Sequence, residues 1–380
     1  MKLVIDKALL IKAMTLIIEA VDNHHQMAIL GNLKLVLEPQ SLTMTASDLE
    51  VELTNVISLP EGACVTAGAV TIPADKFFGI CKALPDNMVS IEVAGSRCYI
   101  TSGKGKYMLS TLPAQDYPSI GEPRSEKLVK IGRDTLFNLI KHTRFAMATQ
   151  DVRHYLTGLL FEIEGDKLTA VATDGHRLAV AYQTLADSHD ETKVIIPGKA
   201  VSGLEKLLTD LLKTAEENGD MVTLGLDNDF LTVSLNFGGQ MMISLTARLI
   251  EGKFPDYRRV MPTNNDKIAI FNKDSMVEVL RRVAVVNTKD SPGVLLHFAK
   301  SETVDVISTN REQDEAREEV AVNYTGEPIE ISFNESYLRA VLNVLEGDIR
   351  LEMVHPTSPT RIYQVGDDHN YQYVVMPMRV

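Results

Sequence analysis

Apolar and polar residues alternate along short runs of this chain, and each run adjoins a stretch whose apolar residues recur every three or four positions. Alternation predicts half-buried strands, and the longer spacing predicts amphipathic helices. "VIDKALLIKAMTLI" (4–17), "IGRDTLFNLIKHTRF" (131–145) and "IFNKDSMVEVLRRVAVV" (270–286) each pass from a short apolar strand through an Asp into a helix. Asp6, Asp134 and Asp274 stand where an N-cap belongs, and Met276, Val277, Leu280, Val283 and Ala284 make the apolar face of the third helix. Paired-strand signals follow each helix: "LKLVLEPQSLTMTASDLEVEL", "LLFEIEGDKLTAVATDGHRLAV" and "VLLHFAKSETVDVISTNREQDEAREEV". Ser47-Asp48, Thr173-Asp174 and Thr309-Asn310 fall at matching points in them.

A second triplet of strand, turn and helix interleaves with the first: "TIPADKFFGICKALP", "IIPGKAVSGLEKLLTDLL" and "ISFNESYLRAVLNVL". Pro73 and Pro197 lie 124 positions apart, and Pro197 and Phe333 136 apart, so the repeating unit is a whole domain. The chain is read as three copies of one domain, each made of two similar halves. Their boundaries are expected where Pro, Gly and charge accumulate, near "QDYPSIGEPRSEK" and "FPDYRRVMPTNND", which sets the domains at 1–122, 123–260 and 261–380. Helices on one side of antiparallel strands make the class α+β.

Composition narrows the function. With 380 residues, 45% of them hydrophobic, the chain exceeds one ordinary core. No apolar run approaches the ~20 residues of a membrane span, and charges interrupt the N-terminus too early for a signal peptide, so the chain is expected to be cytoplasmic and to have no membrane partner. Cys64, Cys81 and Cys98, 17 apart and without a CxxC, are expected to be buried free thiols.

A net charge of −13 argues against nucleic acid until its distribution is counted. Residues 7–19, 75–83, 135–146, 199–213, 275–286 and 335–345, the six helical segments, carry twelve Lys or Arg against six Asp or Glu. A positive helical lining within a negative shell suits a phosphate backbone held without reading bases, while solvated faces of surface helices are the plainer alternative. The tail "YQYVVMPMRV" (371–380) puts Val375, Met376, Met378 and Val380 close to its end.

Enzyme signals are few. Asp174 and His176 in "VATDGHRLAV" could form a hydrolytic pair, but a Gly175 turn explains them as well. There is no G-x-S-x-G elbow, no HExxH, and no P-loop spacing in "SGKGKY", so no cofactor or metal is expected. "SGKGKY" reads as a basic hairpin tip and "REQDEAREEV" (311–320) as an acidic edge.

Six segments together resemble the bacterial DNA polymerase III beta subunit family, the replication sliding clamps: "ILGNL" (29–33), "LSTLPAQDYP" (109–118), "QDVRHYLTG" (150–158), "ATDGHRLAV" (172–180), "GKFPDYRRVMP" (252–262) and "YVVMPMRV". The resemblance covers essentially the whole chain. It implies three clamp domains per subunit, with two helices of each lining a channel and antiparallel sheets outside. Two subunits would close head to tail as a homodimer ring around double-stranded DNA, without chemistry of their own. It implies partners as well: the replicative polymerase, the clamp loader, and translesion and repair polymerases, bound through short linear peptides. A peptide-binding adaptor that does not encircle DNA, and a hydrolase using Asp174 and His176, remain the alternatives.

By resemblance, the peptide groove would be formed by Leu156, Thr173, Gly175, His176, Arg177, Leu178, Pro255, Arg259, Val260, Asn334, Tyr337, Val374, Val375, Met376, Pro377, Met378 and Arg379. Ring closure would set Lys104, Lys106, Tyr107 and Leu109 against Val285, Val286, Glu312, Asp314, Glu315, Glu318 and Glu319 of a second copy. DNA would meet Lys76, Lys82, Gln150, Tyr155 and Lys199. The family pattern is broken by His24 and Asp75, near basic positions of relatives, and by His154, which replaces an aromatic. These departures imply weaker or more pH-sensitive duplex contacts through His24 and His154.

Overall fold

The computed structural model describes all residues except 122–123, 125, 215–220, 264, 300–301, 368–369 and 379–380. Helices form where the apolar spacing predicts them: α1 (Lys7–Thr15), α2 (Ala74–Ala83), α3 (Arg133–Thr143), α4 (Gly198–Thr214), α5 (Lys273–Val283) and α6 (Glu335–Leu342). In α5 the buried residues are Met276, Val277, Val279, Leu280 and Val283, one apolar stripe.

Only one of the three expected Asp caps is a cap. Asp6 Oδ1 accepts from Leu9 N at 2.9 Å, whereas Asp134 and Asp274 lie inside the first turns of α3 and α5. In the third repeat the strand runs on to Asn272, still extended at φ −74° and ψ 129°, and its Oδ1 accepts from Ser275 N at 3.2 Å. Two residues later Asp274 is already helical, where its charge still meets the positive end of the helix dipole.

Four antiparallel sheets carry the strands. One has the order Cys64–Thr66, Lys2–Asp6, Met88–Ala94, Arg97–Ser102, Gly105–Ser110. The second runs Lys127–Gly132, Met221–Leu226, Phe230–Phe237, Met241–Arg248, Val51–Ser58, Ser41–Ser47, Asn32–Glu38, Gly68–Pro73. The third is Gly158–Thr173, Arg177–Pro197, Tyr371–Val375, Thr360–Gln364, Asp348–Met353, Lys267–Asn272, Asn323–Thr325, and the fourth Glu315–Ala321, Thr303–Thr309, Gly293–Phe298, Ile329–Asn334. Strands such as Thr303–Thr309 alternate buried and half-buried positions as the pattern requires. Gly158–Ile163 is instead buried at every position, Glu162 included.

The chain packs as two compact units, residues 1–137 with 199–249 and residues 138–198 with 250–380. Compaction follows the sheets rather than the sequence repeats. In the first unit Met241–Arg248 pairs with Val51–Ser58, and in the second Arg177–Pro197 pairs with Tyr371–Val375, so each ladder joins strands of different repeats.

The matching Ser47-Asp48, Thr173-Asp174 and Thr309-Asn310 positions make one device three times. Asp48 Oδ1 accepts from the amides of Glu50 and Val51 (2.9 and 2.8 Å), Asp174 Oδ1 from those of His176 and Arg177 (2.9 and 3.0 Å), and Asn310 Oδ1 from that of Asp314 (2.9 Å). Each turn includes one residue at positive φ: Leu49 at 75°, Gly175 at 89° and Gln313 at 67°. Cys81 and Cys98 are buried, which pushes their thiols up to about 12 and about 11, whereas Cys64 is only half-buried.

Two glycines should respond oppositely to a methyl group. A Cβ on Gly158 would stand 2.6 Å from Ile196 O and 2.8 Å from Ile195 Cγ2, while one on Gly79, in α2, meets nothing within 4 Å. Gly158→Ala is therefore expected to destabilise by about 1–3 kcal/mol and Gly79→Ala to stabilise by about 0.5–1 kcal/mol, read as shifts in denaturant midpoint.

Candidate functional site

The Thr173–Arg177 turn fixes the first wall of a pocket in the second unit. Thr173 Oγ1 donates to Arg177 O at 2.7 Å and accepts from Gly175 N at 3.1 Å. Asp174 Oδ2 accepts from Arg177 Nε at 2.9 Å. Its two carboxylate oxygens thus serve the turn and the guanidinium, and its only bond to His176 is through the backbone amide. Arg177 lies between the rings of Phe145 (5.5 Å) and Tyr337 (4.7 Å), and the His176 ring stacks on Tyr337 at 5.7 Å. Of the two readings of Asp174 and His176, the geometry matches the Gly175 turn rather than the hydrolytic pair: the residues build a turn and an aromatic shelf.

The end of the chain supplies the second wall. Tyr371–Val375 pairs with Arg177–Pro197 and with Thr360–Gln364. Beyond it, Met376 N donates to His176 O at 2.8 Å and Met378 N to Ser332 O at 2.7 Å. Alternation then sorts the tail side chains: Val374 faces the pocket, Val375 is fully buried in the core, and Met376 is 36% exposed at the rim. Beneath this strand Tyr373, fully buried, has its hydroxyl 2.7 Å from His142 Nδ1, and His142 stacks on Tyr371 at 3.8 Å.

The third wall is the segment Pro255–Val260, whose last four residues form a single 3-10 turn. Together the walls enclose a pocket of about 230 Å³ over an apolar floor that includes Leu156, Leu178 and Val374. Of the groove residues expected from sequence, Thr173, Gly175, Arg177, Pro255, Val260 and Met376 also line it. Asn334 instead caps α6 through Ser336 N (3.0 Å) and Tyr337 N (3.4 Å), and Val375 is withdrawn into the core. His176, Tyr337, Pro377 and Met378 lie outside the pocket lining, on the adjoining shelf and tail. Arg259 points to solvent and pairs with Asp256 at 3.0 Å, and Arg379 is outside the described residues.

Arg153, Asp256 and Tyr257 line the pocket without having been anticipated. Tyr257 lies within "GKFPDYRRVMP" but carries no periodic signal of its own. It is buried, packs with Leu160, Val171, Leu178 and Ile195, and donates its hydroxyl to Glu162 Oε2 at 2.8 Å. Burial pushes the Tyr257 hydroxyl up, helped by the Glu162 charge. Burial acts to raise the Glu162 carboxyl, but hydrogen bonds from Arg258, Tyr257 and Lys193 outweigh it and hold it below the usual range.

Other anticipated residues are dispersed. In the first unit His24 is exposed in a loop, Lys76 and Lys82 lie on α2 with Lys82 3.9 Å above the Phe78 ring, and Lys199 pairs with the buried Asp48 carboxylate. Asp75 accepts from Asn23 Nδ2 at 2.8 Å. In the second unit Gln150 has a positive φ of 56°, His154 is exposed, and Tyr155 packs against the pocket-floor cluster.

Lys104 sits in the hairpin turn, with Lys106, Tyr107 and Leu109 on the edge strand Gly105–Ser110. Glu315, Glu318 and Glu319 lie on the opposite kind of edge, Glu315–Ala321. Val285 is 82% exposed, Val286 is half-buried and Glu312 is exposed. Asp314 is bound to Asn310, and Glu318 to Arg282 in a two-pronged pair (Nε–Oε1 2.8 Å, Nη2–Oε2 2.6 Å). Among the described residues no helix is long and apolar enough to cross a membrane.

Family models for the DNA polymerase III beta subunit match the chain in three consecutive stretches: N-terminal domain over 1–121, central domain over 130–256 and C-terminal domain over 258–379. The chain is 39% identical to the beta sliding clamp of Vibrio cholerae and 35% identical to that of Escherichia coli, each over 382 residues and 100% of both chains. Among solved structures it is similar to the DNA polymerase III subunit beta of Pseudomonas aeruginosa (TM-score 0.91, 35% identity) and to a sliding clamp of that organism bound to griselimycin (TM-score 0.92, 36% identity), with 100% of both chains covered in each.

The support under the tail strand is expected to be acid-labile. Burial, with Lys141 nearby, lowers His142 to about 4 from 6.5. A histidine held neutral contributes stability that is complete above its unfolded pKa and is lost as the pH falls toward the folded one. Melting temperature should therefore drop between about pH 6.5 and pH 4, and His142→Gln, which cannot titrate, should flatten that limb.

Proposed function

Because the chain belongs to the DNA polymerase III beta subunit family, the beta sliding clamps, we propose that it is a non-catalytic processivity ring. Two copies close head to tail around duplex DNA in the cytoplasm and tether the replicative polymerase. The observation that carries this proposal is the match of three successive domain families, covering nearly the whole chain, to a sequence that is itself a threefold repeat.

Charge supports the DNA half of the proposal. The helical segments carry a net +6 in a chain of −13, so a phosphate backbone would be attracted to the helices and repelled elsewhere. Lys76, Lys82 and Lys199 are the candidate contacts from the first unit, and Gln150, His154 and Tyr155 from the second. Contacts of this kind position a duplex without reading its sequence. Lys199 must exchange its Asp48 partner for a phosphate.

Two sheet edges of opposite character support ring closure. The Gly105–Ser110 edge exposes Lys106, Tyr107 and Met108, and the Glu315–Ala321 edge exposes Glu315 and Glu319, with Val285 exposed on the 3-10 turn that follows α5. Unpaired edges template pairing with another chain, and opposite charge selects the partner edge. A head-to-tail contact made twice about a two-fold axis closes a ring.

The pocket supports the tethering half. It is apolar at the floor, has Arg153, Arg177 and Asp256 at its walls, and is rimmed by the adaptable Met376. Such a site accepts short linear peptides of polymerases, clamp loader and repair proteins, as one groove serving several partners. A relative of the same fold has been solved with griselimycin bound.

Retention on DNA tests the ring: protein loaded onto nicked circular plasmid by a clamp loader and ATP should persist on circles and leave after linearisation. Equal loss from both would favour an adaptor that binds peptides without encircling DNA. Replacing Val285 and Val286 together by Ala should give monomers by sedimentation and abolish retention. Met376→Ala should weaken griselimycin binding by about 1–3 kcal/mol in calorimetry while the dimer stays intact.

A further inference from the structure

Resting on the assignment of the pocket as a peptide groove, we infer that Glu162 is the positioning residue of that groove, holding its Pro255–Val260 wall from behind. Glu162 touches no groove occupant itself. Its side chain is 4% exposed, in the Gly158–Ile163 stretch of the Gly158–Thr173 strand, which is buried at every position.

Three donors converge on the carboxylate. Oε2 accepts from Tyr257 Oη at 2.8 Å and from Arg258 Nη2 at 2.7 Å, and Oε1 accepts from Lys193 Nζ at 3.1 Å. Tyr257 and Arg258 open the 3-10 turn of the wall, and Lys193 belongs to the neighbouring strand Arg177–Pro197. One buried charge therefore bolts the wall to the sheet that carries the pocket floor.

Apart from these bonds the wall is held by apolar packing, with Phe254 and Met261 at its two ends set against the cluster that contains Tyr257. A single 3-10 turn is not stable by itself, and the Asp256 side chain makes no capping hydrogen bond to it. Tyr257 contributes burial of its ring, but apolar burial is non-directional and leaves rotation and sliding to be restrained by the hydrogen bonds. Charge-assisted bonds to a desolvated carboxylate are the directional ones. Since Pro255, Tyr257 and Val260 all line the pocket, a shift of this turn changes the groove width directly.

The same unit contains its own control. Glu352, 7% exposed, accepts from Tyr363 Oη at 2.7 Å, Arg350 Nε at 2.8 Å and Asn265 Nδ2 at 3.2 Å. The chemistry matches that of Glu162, but none of these partners lines the pocket. Loss of either carboxylate should lower stability to a similar degree, and only one should reach the groove.

The experiment compares Glu162→Gln and Glu352→Gln in the full chain by thermal melting, griselimycin calorimetry and amide hydrogen exchange. Glu162→Gln is expected to weaken griselimycin about tenfold or more and to speed exchange across residues 255–260. Glu352→Gln should melt lower too, yet bind as wild type and leave that segment protected. Should Glu162→Gln fail to fold, Tyr257→Phe, which deletes only the hydroxyl, is expected to show the same two effects at smaller size. Unchanged exchange at 255–260, or equal loss of binding in the Glu352 variant, overturns the inference. Failure of the wild type to bind griselimycin instead overturns the groove assignment, and the exchange arm still decides whether Glu162 positions the wall.

Discussion

The Tyr371–Val375 strand is hydrogen-bonded on both sides, to Arg177–Pro197 and to Thr360–Gln364, so this segment lies inside a sheet rather than along its margin. Everything at the candidate groove depends on that insertion. It converts an apolar tail, otherwise an aggregation liability, into an interior strand whose alternation sends Val375 to the core and Val374 to the pocket. The two amide bonds beyond it, Met376 to His176 and Met378 to Ser332, carry the tail from the seven-stranded sheet to the four-stranded one. A site assembled this way can exist only when strands from two sequence repeats are already paired.

Buried charge organises what the ladder leaves loose. Glu162 and Glu352 are desolvated, and each is compensated by a Tyr hydroxyl and by basic side chains, the arrangement that keeps a carboxylate ionised away from water. Both sit in the seven-stranded sheet, on strands Gly158–Thr173 and Asp348–Met353. The exposed charges follow a different logic: pairs such as Lys2 with Glu92 (Nζ–Oε2 2.9 Å) lie in solvent, where a salt bridge contributes little to stability. Their value lies in steering and in the choice of partner.

One local device has been kept three times and used differently. The Asp48, Asp174 and Asn310 turns share the side-chain-to-amide bonds and a residue at positive φ. At Asp48 the second oxygen meets Lys199, at Asp174 it meets Arg177, and at Asn310 the amide reaches Asp314. The middle copy lies against Tyr337 and beside the tail, and there the turn forms one wall of the pocket floored by Leu156, Leu178 and Val374. Repetition accounts for the fold of the three turns, and their surroundings account for the different uses made of them.

The amino-acid sequence by itself determined the periodic elements, the threefold repeat, the excess of positive charge on the helices and the family, since each is written in neighbouring residues or in spacings that recur. Periodicity also placed the strand of the tail and the apolar face of α5. Tertiary structure alone decided that Asn272 rather than Asp274 caps α5, that Val375 turns into the core, that Arg153, Asp256 and Tyr257 line the pocket, and that the buried Glu162 accepts the Tyr257 hydroxyl behind it. The physical reason is range. Residues 153–178, 255–260 and 374–376 are far apart along the chain and share no local pattern. Their meeting is set by strand register, and the hydrogen bonds that converge on one buried carboxylate add to it; neither is expressed until the sheet has closed.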